Sequence, residues 1–253
     1  MKMRLSVACA TLIGVVLPVL PIAYANAGPA DYIFTPGVTY GEKEIDFKMG
    51  KSKTPGAGRS GAASLGFGYG VTQNWFTEFY RKYQNSSTEG THFDAWEWEN
   101  KFQLTEPGKY PVDIGAIIEI ERPKNPAEGY EVLFGPLLQT EFGKFQINTN
   151  LLFEQRYRSD NAQRAQLRYQ WQVKYRWLPA FEFGAQGFGD RHSWNNWESI
   201  DPNSNRMGPA VFGKLPLGGR QAIRYNVAML FSTNGHTSAT PRQNFRLQVE
   251  YEF

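Results

Sequence analysis

Cysteine is almost missing from this chain: Cys9 is the only one in 253 residues. It lies in an apolar run, Leu5 to Ile22, that follows a basic head of Lys2 and Arg4 and precedes Ala25-Asn26-Ala27. Basic head, apolar stretch and Ala-x-Ala site are the three parts of a secretory signal peptide. Pro18 and Pro21, late in the run, argue for removal rather than retention as a helical anchor. Cys9 comes too early, and behind Ser6-Val7-Ala8 is wrongly flanked, to be a lipid-anchored first residue. Cleavage after Ala27 is expected, and residues 28–253 then form the folded part without a thiol. An exported fold without disulfides must be stabilised by other means, and a closed membrane barrel is one.

Long hydrophobic runs are the second absence. Past Ile22 nothing approaches the roughly 20 apolar residues a membrane helix needs. Charge of one sign is the third. Setting Lys2 and Arg4 aside from 27 basic residues leaves 25 against 24 acidic ones. That balance excludes the basic surface of a nucleic-acid binder and any charged tail. What the chain does have is aromatics, at 15% of residues. A polar average with many aromatic rings suits a sheet whose two faces meet different solvents.

The pattern is period two. Phe245, Leu247, Val249, Tyr251 and Phe253 alternate with Arg246, Gln248, Glu250 and Glu252. Leu167, Tyr169, Trp171, Val173, Tyr175 and Trp177 alternate with Gln166, Arg168, Gln170, Gln172, Lys174 and Arg176. Successive side chains on a strand point to opposite faces, so each segment has an oily and a wet side, which a helix would smear around its axis. Segments of this kind fall near 33–49, 61–72, 74–84, 92–104, 110–122, 129–141, 144–157, 165–177, 181–190, 205–214, 220–233 and 243–253. The connectors between them alternate in length. Short ones contain Thr72-Gln73, Glu106-Pro107-Gly108, Phe142-Gly143, Leu178-Pro179 and Pro216-Leu217-Gly218-Gly219, and long ones cover 50–60, 85–91, 123–128, 158–164, 191–204 and 234–242. Short turns on one side and long loops on the other are how bacterial outer-membrane barrels are built.

The expected fold is therefore all-β: a transmembrane, antiparallel, up-and-down β-barrel of about 12 strands, both termini periplasmic. A soluble barrel of twelve strands would enclose a core too wide for side chains to fill. Aromatics toward strand ends (Tyr83, Tyr157, Trp177, Tyr251) match the girdles of a membrane barrel. The ending Arg246-Leu247-Gln248-Val249-Glu250-Tyr251-Glu252-Phe253 resembles the C-terminal strand by which Gram-negative outer-membrane barrels are recognised for assembly. The piece Gly66-Phe67-Gly68-Tyr69-Gly70-Val71-Thr72 is similar to strand-turn segments of uncharacterised barrels, some grouped with uptake channels for small solutes and aromatic compounds. The resemblance implies residence in the bacterial outer membrane among its lipid and lipopolysaccharide, and insertion by the barrel-assembly machinery through Tyr251 and Phe253. It implies small solutes as cargo, with no nucleic acid and no cofactor.

With the aromatic face toward lipid, the polar face lines the lumen. Strands four to six supply acids there, namely Glu97, Glu99, Asp113, Glu119, Glu121, Glu131 and Glu141. Later strands supply Arg156, Arg168, Lys174, Arg176, Arg224 and Arg246, with Glu250 on the last strand. Opposed across a lumen these charges would orient dipolar solutes. Paired with neighbours, they would instead form a salt-bridge lattice that fills the barrel. Two readings stay open: a narrow passive channel for small hydrophilic or amphipathic solutes, or a plugged structural barrel. Gly66, Gly68 and Gly70 share one face, and either a strand bend or the approach of a lumen-folded loop, the N-terminal segment or a solute explains them; as a phosphate loop they lack a lysine and a helix.

A rim hydrolase is the third reading. His92, His192 and His236 lie at or beside the long loops, His92 near Asp94 and His192 between Asp190 and Ser193. Their context matches no outer-membrane lipase or protease motif, and their spacing supports no metal site. Trp194 and Trp197, paired in one loop, suit loop packing or contact with a flat ligand.

Overall fold

A computed structural model describes residues 30–54, 58–160, 165–191, 205–233 and 243–253. The signal segment, Trp194, Trp197, His192 and His236 lie outside the described residues. Twelve strands occur among those described: β1 Lys43–Thr54, β2 Gly58–Gly70, β3 Trp75–Ser86, β4 Gly90–Gln103, β5 Asp113–Pro123, β6 Tyr130–Phe142, β7 Phe145–Tyr157, β8 Gln166–Leu178, β9 Phe181–Arg191, β10 Arg206–Gly218, β11 Gln221–Ser232 and β12 Gln243–Glu252. Each pairs antiparallel with its neighbours in sequence, and β1 pairs with β12, so the sheet is a closed up-and-down barrel. At the seam Ile45 stands opposite Tyr251 and Phe47 opposite Val249. Closure leaves no unpaired edge, the condition for a sheet surrounded by hydrocarbon.

Alternation sets the two faces. Phe47, Leu65, Phe67, Phe79, Trp98, Ile118, Phe134 and Met229 point outward and are exposed. In water so broad an apolar surface would aggregate; against acyl chains it is the stable arrangement. Rings gather toward both ends of the strands. Tyr251 stacks on Phe253 and Phe145 meets Tyr175 edge-on at the turn end, while Phe93 packs on Trp96 at the loop end. The tight β6–β7 turn is Gly143-Lys144, where Gly143 has φ 59°, a conformation glycine takes at no steric cost.

Three expectations are corrected. Residues 33–42 are not strand, and β1 begins only at Lys43. The stretch around Ile33 and Phe34 alternates because it is packed, but inside the barrel rather than in its wall, and Pro36-Gly37 suits an irregular path. Two connectors read as long loops, 50–60 and 85–91, are mostly strand, because their Lys, Ser, Asn and Thr residues prolong the hairpins. Conversely, the link around Glu106-Pro107-Gly108 spans 104–112.

The interior is also less uniformly polar than alternation suggests. Phe34 buries against Ile117, Leu133, Leu137 and Leu152. Ile33 buries against Phe188, Ala210, Phe212, Ala228 and Leu230. All of these wall residues face inward. The segment preceding β1 thus supplies the core of a barrel too wide to fill itself.

Candidate functional site

The segment from Ala30 to Thr39 is held to the wall by specific contacts. The Phe34 carbonyl accepts from Asn150 Nδ2 at 3.1 Å, and Val38 N–H donates to Gln103 Oε1 at 2.8 Å. The Tyr32 hydroxyl donates to Glu99. Burial, reinforced by the carboxylates of Glu99 and Glu78, pushes the Tyr32 phenol well above its ordinary pKa, so it stays protonated as a donor. The Tyr32 ring covers Lys48 Nζ at 3.1 Å from its centroid, and the Tyr80 ring lies 3.7 Å away from the same atom. Lys48 in turn pairs with Asp46 at 3.0 Å, and Tyr80 donates to Asp46 at 2.8 Å. Lys48, Asp46 and Tyr80 are buried, so a charge removed from water is matched by a carboxylate and two aromatic faces.

The inward glycines of β2 make this packing possible. A Cβ on Gly66 would stand 2.3 Å from the Tyr80 ring, one on Gly68 2.4 Å from the Phe76 ring, and one on Gly70 2.0 Å from the Thr39 carbonyl oxygen. Two rings and the backbone of the inserted segment therefore take the space that side chains would have filled.

The charged residues expected to face the lumen fall into local groups. Lys82 reaches Glu97 at 2.6 Å and Glu121 at 2.5 Å. Arg156 pairs with Glu131 at 2.9 Å, and Arg168 pairs with Glu154 and lies 3.7 Å from Asp190. Lys174 meets Glu182 at 3.0 Å, Arg176 meets Glu141 at 2.6 Å, and Arg224 meets Glu252. Glu250 accepts from Gln248 at 2.7 Å, and Asp113, at the turn end, accepts from Gly108 N–H at 2.8 Å. Among the described residues these ion pairs join neighbouring or next-but-one strands and none crosses the lumen. Arg246 differs: its guanidinium lies 4.2 Å over the Phe188 ring. Carboxylate oxygens of Glu97, Glu99 and Glu119 lie within 4.8 Å of one another. Lys82 and Tyr32 already engage two of the three, which leaves no vacant ligand set.

A cavity of about 670 Å³ opens at the turn end and stops against Tyr32 to Pro36. Among the described residues nine carboxylate and five basic side chains line it; Glu99, Asp113, Lys174, Arg176, Arg224 and Glu250 are among them, whereas Glu97, Glu119, Glu121, Glu131, Arg156, Arg168 and Arg246 lie elsewhere. Beside Arg246, between it and Ala30 and Tyr32, a space of about 10 Å³ remains, room for about one water. Sequence reasoning missed Tyr32, Asp46, Lys48, Tyr80 and Lys82. The alternation of Asp46 and Lys48 with Ile45, Phe47 and Met49 could have found two of them. At the rim, His92 Nε2 is 3.8 Å from Glu89, and Asp94 accepts from Gln84, so His92 and Asp94 do not form a pair.

No protein-family model and no curated protein matches the chain. Solved structures do. The fold superposes on an outer membrane channel from Pseudomonas putida F1 with TM-score 0.60 at 13% identity, over 88% of this chain and 98% of that one. For the NanC porin the values are 0.54, 10%, 83% and 98%, and for the KdgM porin 0.53, 9%, 83% and 99%. At such identities the likeness is one of fold. That fold is the porin-like barrel of outer-membrane channels.

Proposed function

We propose that the chain is exported with cleavage after Ala27 and works in the bacterial outer membrane as a narrow passive channel for small hydrophilic or amphipathic solutes. Its turns face the periplasm, and residues 30–38 form a constriction inside the lumen. The observation that carries this reading is the 670 Å³ polar cavity running from the turn end to Tyr32–Pro36. The excess of carboxylates along it favours cations among inorganic ions. Likeness of fold to the KdgM and NanC porins supports a channel in general. Reconstitution in a planar bilayer under a salt gradient tests it. Discrete steps with a cation-positive reversal potential are expected, and silence from verified inserted protein would overturn the channel.

The inserted segment equally favours a second reading, a plugged barrel in which wall charges serve stability. The two diverge when Glu250 is neutralised. A channel changes selectivity, whereas a plug loses stability.

Two partners follow from the outward surface. Trp96 lies opposite Arg81 on one side and Arg122 on the other, at the loop end. Arg81 sits 5.1 to 5.5 Å from the rings of Tyr83, Phe93 and Trp96, and Arg122 lies 4.2 Å over Tyr130. Two guanidiniums in an aromatic girdle suit the phosphates of lipopolysaccharide. Tyr251 and Phe253 supply the C-terminal signal for the assembly machinery. A rim hydrolase, the remaining reading, requires His92 or His192, and full activity after replacing both by alanine would eliminate it.

A further inference from the structure

On the loop side of the constriction, β12 presents two inward polar side chains with hydrogen-bonding atoms left unsatisfied. Asn244 is 1% exposed, and neither its Nδ2 nor its Oδ1 is hydrogen-bonded. Arg246, two residues on and 6% exposed, leaves Nε and Nη1 unpaired. Buried polar groups in native proteins nearly always have partners, and a guanidinium left without them is costly, so such a pair marks a place where a ligand or water belongs. Arg206, at the start of β10, adds a second positive charge nearby. The Phe188 ring beneath the Arg246 guanidinium fixes its plane.

The inserted segment passes this point. Ala30 and Tyr32 line the same small space as Arg246, and the carboxylate of Asp31 between them acts electrostatically on both Arg246 and Arg168. With only about 10 Å³ free, nothing larger than a water enters unless residues 30–32 move.

We infer that Arg246 and Asn244 form a binding station for the carboxylate of a small organic solute, and that a solute reaching Arg246 past Ala30 and Tyr32 displaces the segment and loosens it. Guanidinium and amide offer a carboxylate charge-assisted donors in a site shielded from water. Arg168 does not compete for the solute, because Glu154 and Asp190 already hold it. The station belongs to the loop side, since the cavity beyond the constriction has an excess of carboxylates and repels an anion. Binding there releases the constriction for current that cations carry. This coupling rests on the channel reading; the binding itself does not.

The test is calorimetric titration of the refolded chain in detergent with sodium benzoate, at constant ionic strength, alongside bilayer recordings with benzoate on the loop side. Saturable binding is expected, weakened at least about tenfold in Arg246→Gln and strengthened in Asp31→Asn, where a nearby negative charge that repels a carboxylate is gone. Asp31→Asn keeps the test meaningful if Arg246→Gln does not fold. Absence of saturable binding to the wild type and Asp31→Asn, unchanged binding in folded Arg246→Gln, or equal saturation by chloride would each overturn the carboxylate station. Binding at Arg246 by a protein that never conducts would sustain the station and defeat the channel. Conductance without benzoate binding would do the reverse.

Discussion

Tyr32 anchors the inserted segment through three contacts, and its removal has a magnitude that can be worked from them. Tyr32→Ala removes the ring 3.1 Å from Lys48 Nζ, the hydroxyl bonded to Glu99, and the edge contact with Phe34 at 4.6 Å. A desolvated cation–π contact contributes about 2 kcal/mol, a hydrogen bond to a charged group about 1.5–3 kcal/mol, and an aromatic pair about 0.5–1.5 kcal/mol. These terms overlap, and Lys48 and Glu99 regain water when the segment leaves, so a net loss of about 3 kcal/mol is the working figure. It corresponds to roughly a hundredfold greater population of the displaced segment. Tyr32→Phe keeps the ring over Lys48 and loses only the hydroxyl bond to Glu99, so it should give roughly tenfold, less than Tyr32→Ala. The assay is labelling of Ala30→Cys by a polar maleimide; the chain's own Cys9 lies in the stretch proposed to be cleaved, so the background is clean. Equal labelling rates in the Tyr32→Ala and unaltered backgrounds would refute the latch.

Gly66→Val, with its Cβ 2.3 Å from the Tyr80 ring, should drive Tyr80 off Asp46 and lower stability by about 1–3 kcal/mol, read from the denaturant midpoint of the refolded barrel. Replacing Glu44 and Glu250, which both line the large cavity, by glutamine should move the reversal potential toward zero while heat-modifiable gel migration stays normal. An unchanged potential would remove these carboxylates from the permeation path. Deleting Phe253, which stacks on Tyr251, should reduce the folded yield in cells far more than refolding in detergent, and equal losses in both would locate its role in stability instead.

The wall was legible in the sequence because alternation is a local property: β8 and β12 show it residue by residue, and any strand with one apolar side must turn that side to the apolar solvent. The partners of the charges were not legible. Lys82 joins Glu97 to Glu121 through the registers of three strands, including a bulge between Lys82 and Tyr83 that no composition reveals. Period two also misled at Ile33 and Phe34, since alternation reports two-sided surroundings and not membership of a sheet. Inward Leu133, Leu137 and Leu152 break the polar rule where that segment docks, so the two misreadings share one cause. The spacing of the β2 glycines allows either a bend or room for something approaching, and at Gly70 the backbone of Thr39 makes that approach.

The claim at the centre of this account is that residues 30–38 narrow an otherwise open porin-like barrel. Single-channel conductance of the refolded chain beginning at residue 28, compared with one beginning at residue 39, addresses it directly. The longer chain should show small or infrequent steps, and the shortened chain large and persistent ones of the same ionic preference. Identical conductance in the two, with both barrels shown to be folded, would contradict it.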